Sequence, residues 1–240
     1  MSASGDISVE QWAARAWRAR ALIELQAQQR FARLSAELER FDPDSPVVGL
    51  LSIASEEEAT HAELCNELAK SLGENAASAP AQTPSVAPAS LQPREKLLYE
   101  IVAACCVAET ESMATLTLLL AKMSPGRYRE AVHRIAKDEV DHAQAGWAHL
   151  AREAARGRAS FLSAHLVAML NVGPVHELFA TQPCVAAGSD ELYRFGVVPH
   201  AKKREVFVQV MNELIMPGLR HNGVDPTPLQ EWLTRLDTSP

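Results

Sequence analysis

The chain has 240 residues, 47% hydrophobic and 22% charged, which suits one soluble domain with a sizeable core. Its formal net charge of −7 argues against nucleic acid or an anionic membrane surface as a partner. The N-terminal residues lack the pattern of a signal peptide, and no uninterrupted apolar run approaches the roughly 20 residues of a membrane span, so we expect a cytoplasmic protein with no membrane partner.

Apolar periodicity predicts four long helices, separated by residues that favour turns. Asp42-Pro43-Asp44-Ser45-Pro46 ends the first helix, because proline cannot continue it. Gly73 is a typical cap after the second helix, and a Ser-Pro-Gly turn at 124–126 separates the third from the fourth. The predicted helices cover about 8–41, 47–72, 94–123 and 127–156.

The connections predict how these helices are arranged. Residues 74–93 are rich in Ala, Pro and Ser and read as a solvated crossover, whereas the other two connections are short. Shorter apolar segments, broken by prolines, follow near 159–172, 189–195, 201–215 and 227–236, and none alternates like a strand. The sequence therefore predicts a single all-α domain over 1–240. Its core at about 8–156 is an antiparallel four-helix bundle with one long crossover, and 157–240 form a C-terminal helical extension.

A glutamate followed three residues later by a histidine occurs twice on apolar helix faces, as Glu58-His61 and as Glu139-His142. Residues i and i+3 of a helix share one face about 4.5 Å apart along the axis. Each pair can therefore offer a carboxylate and an imidazole to the same metal ion.

A third pair with the same spacing, Glu130 and His133, is interpreted differently. Glu130 lies nine residues before Glu139, about half a helical turn out of phase. Its neighbours on the helix are mostly charged: Arg127, Arg134, Lys137 and Asp138. We therefore predict a solvent-exposed pair with no metal.

The distance of each glutamate from the turn that connects its helix to the next predicts which carboxylates face one another. Antiparallel helices place two residues level when both are equally far from the connection, and this rule pairs Glu109 with Glu139. Glu111 lies nearly half a turn away from Glu109 and is the weaker candidate. The same rule pairs Glu24 with Glu58, although the match is looser.

Electrostatics predicts metal at such a site. Four carboxylates in a dry interior repel one another, and each ion carries a desolvation cost of several kcal/mol. Two divalent cations would balance the four charges, and a set of four Glu and two His suits Fe(II) or Mn(II). We predict two iron ions, with manganese or a mixed Fe/Mn pair as alternatives. A metal-free interaction bundle in which these six residues coincide stays open.

The order Glu … Glu-x-x-His … Glu … Glu-x-x-His resembles the ferritin-like di-metal carboxylate superfamily over about residues 8–156. The resemblance implies that Glu58 and Glu139 bridge the two ions. It also implies the terminal ligands: Glu24 and His61 for one ion, Glu109 and His142 for the other.

In several oxygen-activating members of this superfamily, an acidic residue precedes the motif glutamate and orients a ligand histidine. Glu57 and Asp138 occupy these places here. The alternative is that both are ordinary polar helix residues.

The resemblance favours a non-haem di-iron oxygenase that uses O2 and an external electron donor to oxidise a small organic substrate. Small residues beside the predicted ligands could leave room for that substrate: Ala62, Ala108, Ala143 and Gly146. The alternative is an iron-handling ferroxidase, although the long C-terminal extension departs from the shorter storage ferritins. A cage of many subunits would favour storage, whereas a monomer or a homodimer would favour an enzyme.

Overall fold

The computed structural model describes residues 7–170 and 190–237, and these contain helices and no strands. The all-α prediction is therefore confirmed for this part of the chain. Four long helices come first. They are α1 (Val9–Phe41), α2 (Pro46–Ser71), α3 (Pro93–Lys122) and α4 (Arg127–Ala155).

The long helices begin and end close to the predicted positions, for local reasons. Ser8 and Gln11 form a reciprocal capping box at the start of α1, since each side chain accepts a hydrogen bond from the other's backbone N–H. Asp42 ends α1 and binds Arg152 and Arg156 near the end of α4. The turn between α1 and α2 is thereby tied to the opposite hairpin.

Hydrogen bonds fix the register of α1 against α2. Ser55 Oγ donates to the carbonyl of Gln28, and Ser35 Oγ donates to that of Val48, each at 2.9 Å. As the residue number rises along α1, the number of the hydrogen-bonded partner in α2 falls, so the two helices are antiparallel. Continuing this register places Glu24 beside residues 58 and 59. The helices also pack as α3 with α4, α2 with α4 and α1 with α3.

The helix α3 contains a π-helical segment, Val102–Glu109, between the α-helical segments Pro93–Ile101 and Thr110–Lys122. By length and composition alone, α3 could cross a membrane, but 56% of its most apolar window is buried inside the fold. This burial is compatible with the core helix of a soluble protein.

The crossover at 74–92 has no helix and lies against the bundle. Gln29 donates to the carbonyl of Pro80 at 2.9 Å and accepts from the Thr83 hydroxyl at 2.8 Å. Ser85 donates to the buried carboxylate of Glu100 on α3. The crossover, predicted to be solvated, is therefore hydrogen-bonded to α1 and α3.

The C-terminal extension adds a second layer of helices. A 3-10 turn at Ser160–His165 leads into four further helices. They are α5 (Leu166–Leu170), α6 (Asp190–Tyr193), α7 (His200–His221) and α8 (Thr227–Asp237). The α7 helix consists of His200–Val210, the π-helical segment Met211–Ile215, and Met216–His221, and it packs against α3. The predicted segments at 159–172 and 189–195 extend partly outside the described residues.

Candidate metal centre

Four of the predicted ligands converge between α2, α3 and α4. One ligand atom from each of Glu58, Glu109, Glu139 and His142 lies within 4.8 Å of the other three, and all four residues are buried. They come from α2, α3 and α4, as the spacing to the turns predicts. This group could hold a metal ion.

The other two predicted ligands flank this group. His61 is fully buried, and its Nδ1 lies 3.4 Å from Oε2 of Glu58. The His61 and His142 rings are 6.0 Å apart between centroids. Glu24 is 4% exposed, but its carboxylate binds the Arg20 guanidinium at 2.8 Å. Glu24 is therefore placed beside the site and is already paired with a cation.

The acidic residues before each motif contact the histidine of the opposite helix. Nε2 of His61 lies 3.1 Å from Oδ2 of Asp138, and Nε2 of His142 lies 2.9 Å from Oε2 of Glu57. A carboxylate accepts, so each ring donates through Nε2, and its Nδ1 faces the glutamates. Both contacts run between α2 and α4.

The two motifs make matching contacts. The residues in the two motifs are equally far apart in sequence, and both histidine–carboxylate contacts run crosswise between the antiparallel helices α2 and α4. One helix of each hairpin thus supplies a Glu-x-x-His pair, while the other supplies Glu24 or Glu109. Two similar half-sites face each other.

Several buried polar atoms of this centre have no hydrogen-bond partner. They are both carboxylate oxygens of Glu58, Oε2 of Glu139, and Nδ1 of His61 and of His142. His142 Nδ1 lies 3.1 Å from Oε1 of Glu58, yet the two atoms make no hydrogen bond. Buried polar groups are almost always paired, because leaving one unpaired costs about 1–3 kcal/mol. Five such atoms directed into one region fit the donor set of a metal ion.

Without metal, the pKa values of several groups in the cluster are strongly shifted. Burial and the neighbouring Glu58 raise the pKa of Glu24 to about 8. Burial and Glu139 raise the pKa of Glu109 well above its ordinary value. Burial would lower the pKa of His142, but Glu139 and Glu58 raise it to about 11. Burial opposes ionisation of Glu139, yet His142 and Glu109 hold its pKa near 2. Without metal, protons bound to Glu24, Glu109 and His142 therefore compensate the negative charge of the cluster, and a metal ion could replace them.

Arg20 and Ser112 are site residues that the sequence did not single out. Arg20 donates to the Ser112 hydroxyl at 3.3 Å, and Ser112 donates to Oε1 of Glu139 at 3.1 Å. The same guanidinium lies 3.9 Å from that oxygen. One signal was available, since Arg20 precedes Glu24 by four residues and so shares its helix face. The contact with Glu139, from α1 to α4, depends on tertiary packing.

Close packing at one glycine positions α4 against α3. A Cβ on Gly146 would lie 2.3 Å from Cβ of Cys105 and 3.1 Å from the backbone nitrogen of Cys106. Both cysteines lie in the π-helical segment that ends at Glu109. Gly146 therefore leaves no empty space, contrary to the expectation of room for a substrate, and Ala108 is exposed to solvent.

The residues that the sequence excluded lie apart from the cluster. Glu130 and His133 are both exposed on α4. Glu111 is half-buried and accepts a hydrogen bond from the Thr115 hydroxyl at 2.8 Å. The helical phase thus separated the buried pairs from the exposed one.

Comparison of the chain with protein-family models, with curated proteins and with solved structures finds no match.

Proposed function

We propose that this protein is a ferritin-like non-haem di-iron oxygenase that oxidises a small organic molecule with O2. The observation that carries the proposal is the set of unpaired carboxylate and imidazole atoms, which are buried and directed at one another. Glu58, Glu109, Glu139 and His142 would hold one ion. Glu24 and His61, with the bridging glutamates, would hold the other.

Two ferrous ions, when bound, supply electrons to O2, and an external donor must restore them. The residues of the chain do the positioning. Asp138 and Glu57 keep the imidazole protons on Nε2, so that Nδ1 stays free to bind metal. The burial of Glu58 and His61 excludes water from the centre. Oxygen-rich ligation with two imidazoles favours iron or manganese over thiophilic metals.

Arg20 makes the two half-sites unequal. Its guanidinium pairs directly with Glu24, whereas Glu109 makes no ion pair among the described residues and interacts with the partly buried Arg30 guanidinium only at longer range. We therefore expect the Glu109 and His142 half to bind metal more tightly, and the Glu24 half to fill second as Arg20 releases its carboxylate. Stepwise uptake in a titration with Fe(II) under argon would reveal this order.

Metal analysis of matched variants tests the proposal. Glu139→Gln and His142→Ala remove buried candidate ligands, whereas Glu130→Gln and His133→Ala remove the same residue types from the exposed face of the same helix. We expect about two iron ions per chain in the wild type and in the exposed pair of variants, and a loss of stoichiometric iron in the buried pair. Equal iron content in all four variants would overturn the metal assignment.

Consumption of O2 then separates oxidation of a substrate from iron storage. Iron-loaded protein given a chemical reductant should consume O2 repeatedly while remaining a small oligomer. Assembly into a large shell that accumulates far more ferric ions than the two proposed sites could hold would instead identify an iron-storage protein. Size-exclusion chromatography with light scattering, run before and after oxidation, measures this difference.

A further inference from the structure

An apolar cavity of about 330 Å³ lies between α3, α4 and α7. Met113 belongs to α3, Ala143 and Trp147 belong to α4, and Leu214 belongs to the π-helical segment of α7. The volume is at the lower end of the range for pockets that bind small organic molecules.

The cavity shares its walls with the candidate metal centre. Thr110 follows Glu109 directly, Val140 follows Glu139, and Ala143 follows His142, and all three line the cavity. Consecutive residues of a helix point about 100° apart. The ligand side chains therefore project between the helices, while their direct neighbours, little more than a quarter turn away on the same two helices, line the cavity.

The lining favours a neutral and apolar occupant. Among the residues that the structure describes, no Asp, Glu, Lys, Arg or His lines the cavity. The Thr110 hydroxyl already accepts a hydrogen bond from the Trp147 indole at 3.2 Å, and Gln144 is exposed. A charged molecule would lose its hydration without gaining a counter-charge. At the mouth, Val140 and Leu214 are 37% and 47% exposed, which gives an apolar molecule a surface to approach.

One wall of the cavity depends on a glycine. A Cβ on Gly218 would lie 2.7 Å from two carbons of the Trp147 ring, so this position in α7 lets the indole pack flush against the helix. The ring is thereby held as a wall of the cavity.

We propose that this cavity binds a neutral, apolar small molecule and is the substrate site of the oxidation. This inference rests on the proposed function, because the occupant would lie beside the metal centre. The polar groups of the centre would then face O2 and the ions, while the apolar cavity would select the organic reactant.

Binding can be tested with two fluorinated probes that differ in charge. We expect fluorobenzene to bind to the wild type in ¹⁹F NMR titrations, and 4-fluorobenzoate to bind at least about tenfold more weakly, because the described lining residues include no basic group to compensate its carboxylate. Ala143→Phe should fill the cavity and abolish fluorobenzene binding. Ala151→Phe places the same side chain at an exposed position of the same helix and should leave binding unchanged.

Because Ala143 is buried, Ala143→Phe can lose binding simply by misfolding, and a second variant at an exposed position removes this ambiguity. Leu214→Trp enlarges an exposed residue at the mouth and should weaken fluorobenzene binding severalfold without disturbing the core. Fluorobenzene binding that neither variant reduces, or equal binding of both probes, would overturn the inference.

Metal loading tests the position of the cavity and separates the two proposals. Mn(II) should broaden the ¹⁹F signal of bound fluorobenzene, whereas diamagnetic Zn(II) should not; equal line widths would place the probe elsewhere and overturn the inference. If the protein binds stoichiometric metal but no fluorobenzene, the proposed substrate site is wrong while the proposed metal centre stands. Binding of fluorobenzene to a protein that takes up no metal would support an apolar cavity but overturn the proposed function.

Discussion

Substitution of Gly146 by alanine should disturb both the packing of the bundle and the metal centre. The new Cβ would lie 2.3 Å from Cβ of Cys105, whereas carbon atoms pack at about 3.5–4.0 Å. The second contact, 3.1 Å from the backbone nitrogen of Cys106, cannot be relieved by rotating a side chain. The helices α3 and α4 must therefore separate by roughly 1 Å or more.

The magnitude follows from two opposing terms. Alanine is a better helix former than glycine by about 1 kcal/mol, whereas overpacking a tight contact costs about 1–3 kcal/mol. We expect Gly146→Ala to lower the free energy of unfolding by up to about 2 kcal/mol, so that the variant is about 1–3 kcal/mol less stable than an alanine placed in open space would make it. Because Glu109 lies on α3 while Glu139 and His142 lie on α4, the separation should also weaken metal binding.

Urea denaturation of the chelated protein measures the first effect, and metal titration measures the second. Gly49→Ala is the matched control, since Gly49 lies in α2 and its Cβ would meet nothing within 4 Å. We expect the control to gain about 0.5–1 kcal/mol and to bind metal normally. A Gly146→Ala protein that is as stable as the control and binds metal equally well would refute the packing argument.

Three further predictions concern proton and metal binding. Asp138→Asn should weaken metal affinity about 10–100-fold through its contact with His61, whereas exposed Asp141→Asn should not; metal titration compares them. In chelated protein, the raised pKa of Glu24 (about 8) and of Glu109 means that the folded state holds protons that the unfolded state has released. Its stability should therefore fall as the pH rises from 6.5 to 8, and urea titrations of metal-loaded protein should show no such fall. Burial lowers the pKa of His149 from 6.5 to about 4, so protonation of the unfolded chain should remove about 3 kcal/mol of stability as the pH falls across that window; denaturation of His149→Leu should lack this slope.

Much of the architecture could be predicted from the sequence because its signals are local. The Pro-containing turn after Phe41 and the glycine at 73 end their helices whatever packs around them. The periodicity of the apolar residues also decides which face of each helix is buried. Glu58 and Glu139 were therefore separable from Glu130 by helical phase alone, because burying an uncompensated charge is costly.

Tertiary structure decided which groups meet. The π-helical segment Val102–Glu109 and the close approach of Gly146 lie where α3 contacts α4, and the periodicity of the sequence did not predict them. Arg20 reaches Glu139 because two helices distant in sequence pack together, and the cavity beside the centre needs α7 as its third wall. Helical periodicity records which way a residue faces, whereas the partner it faces depends on the register and separation of whole helices. For this protein, the sequence by itself determined the helices and the buried acidic faces, and only packing determined how those faces meet.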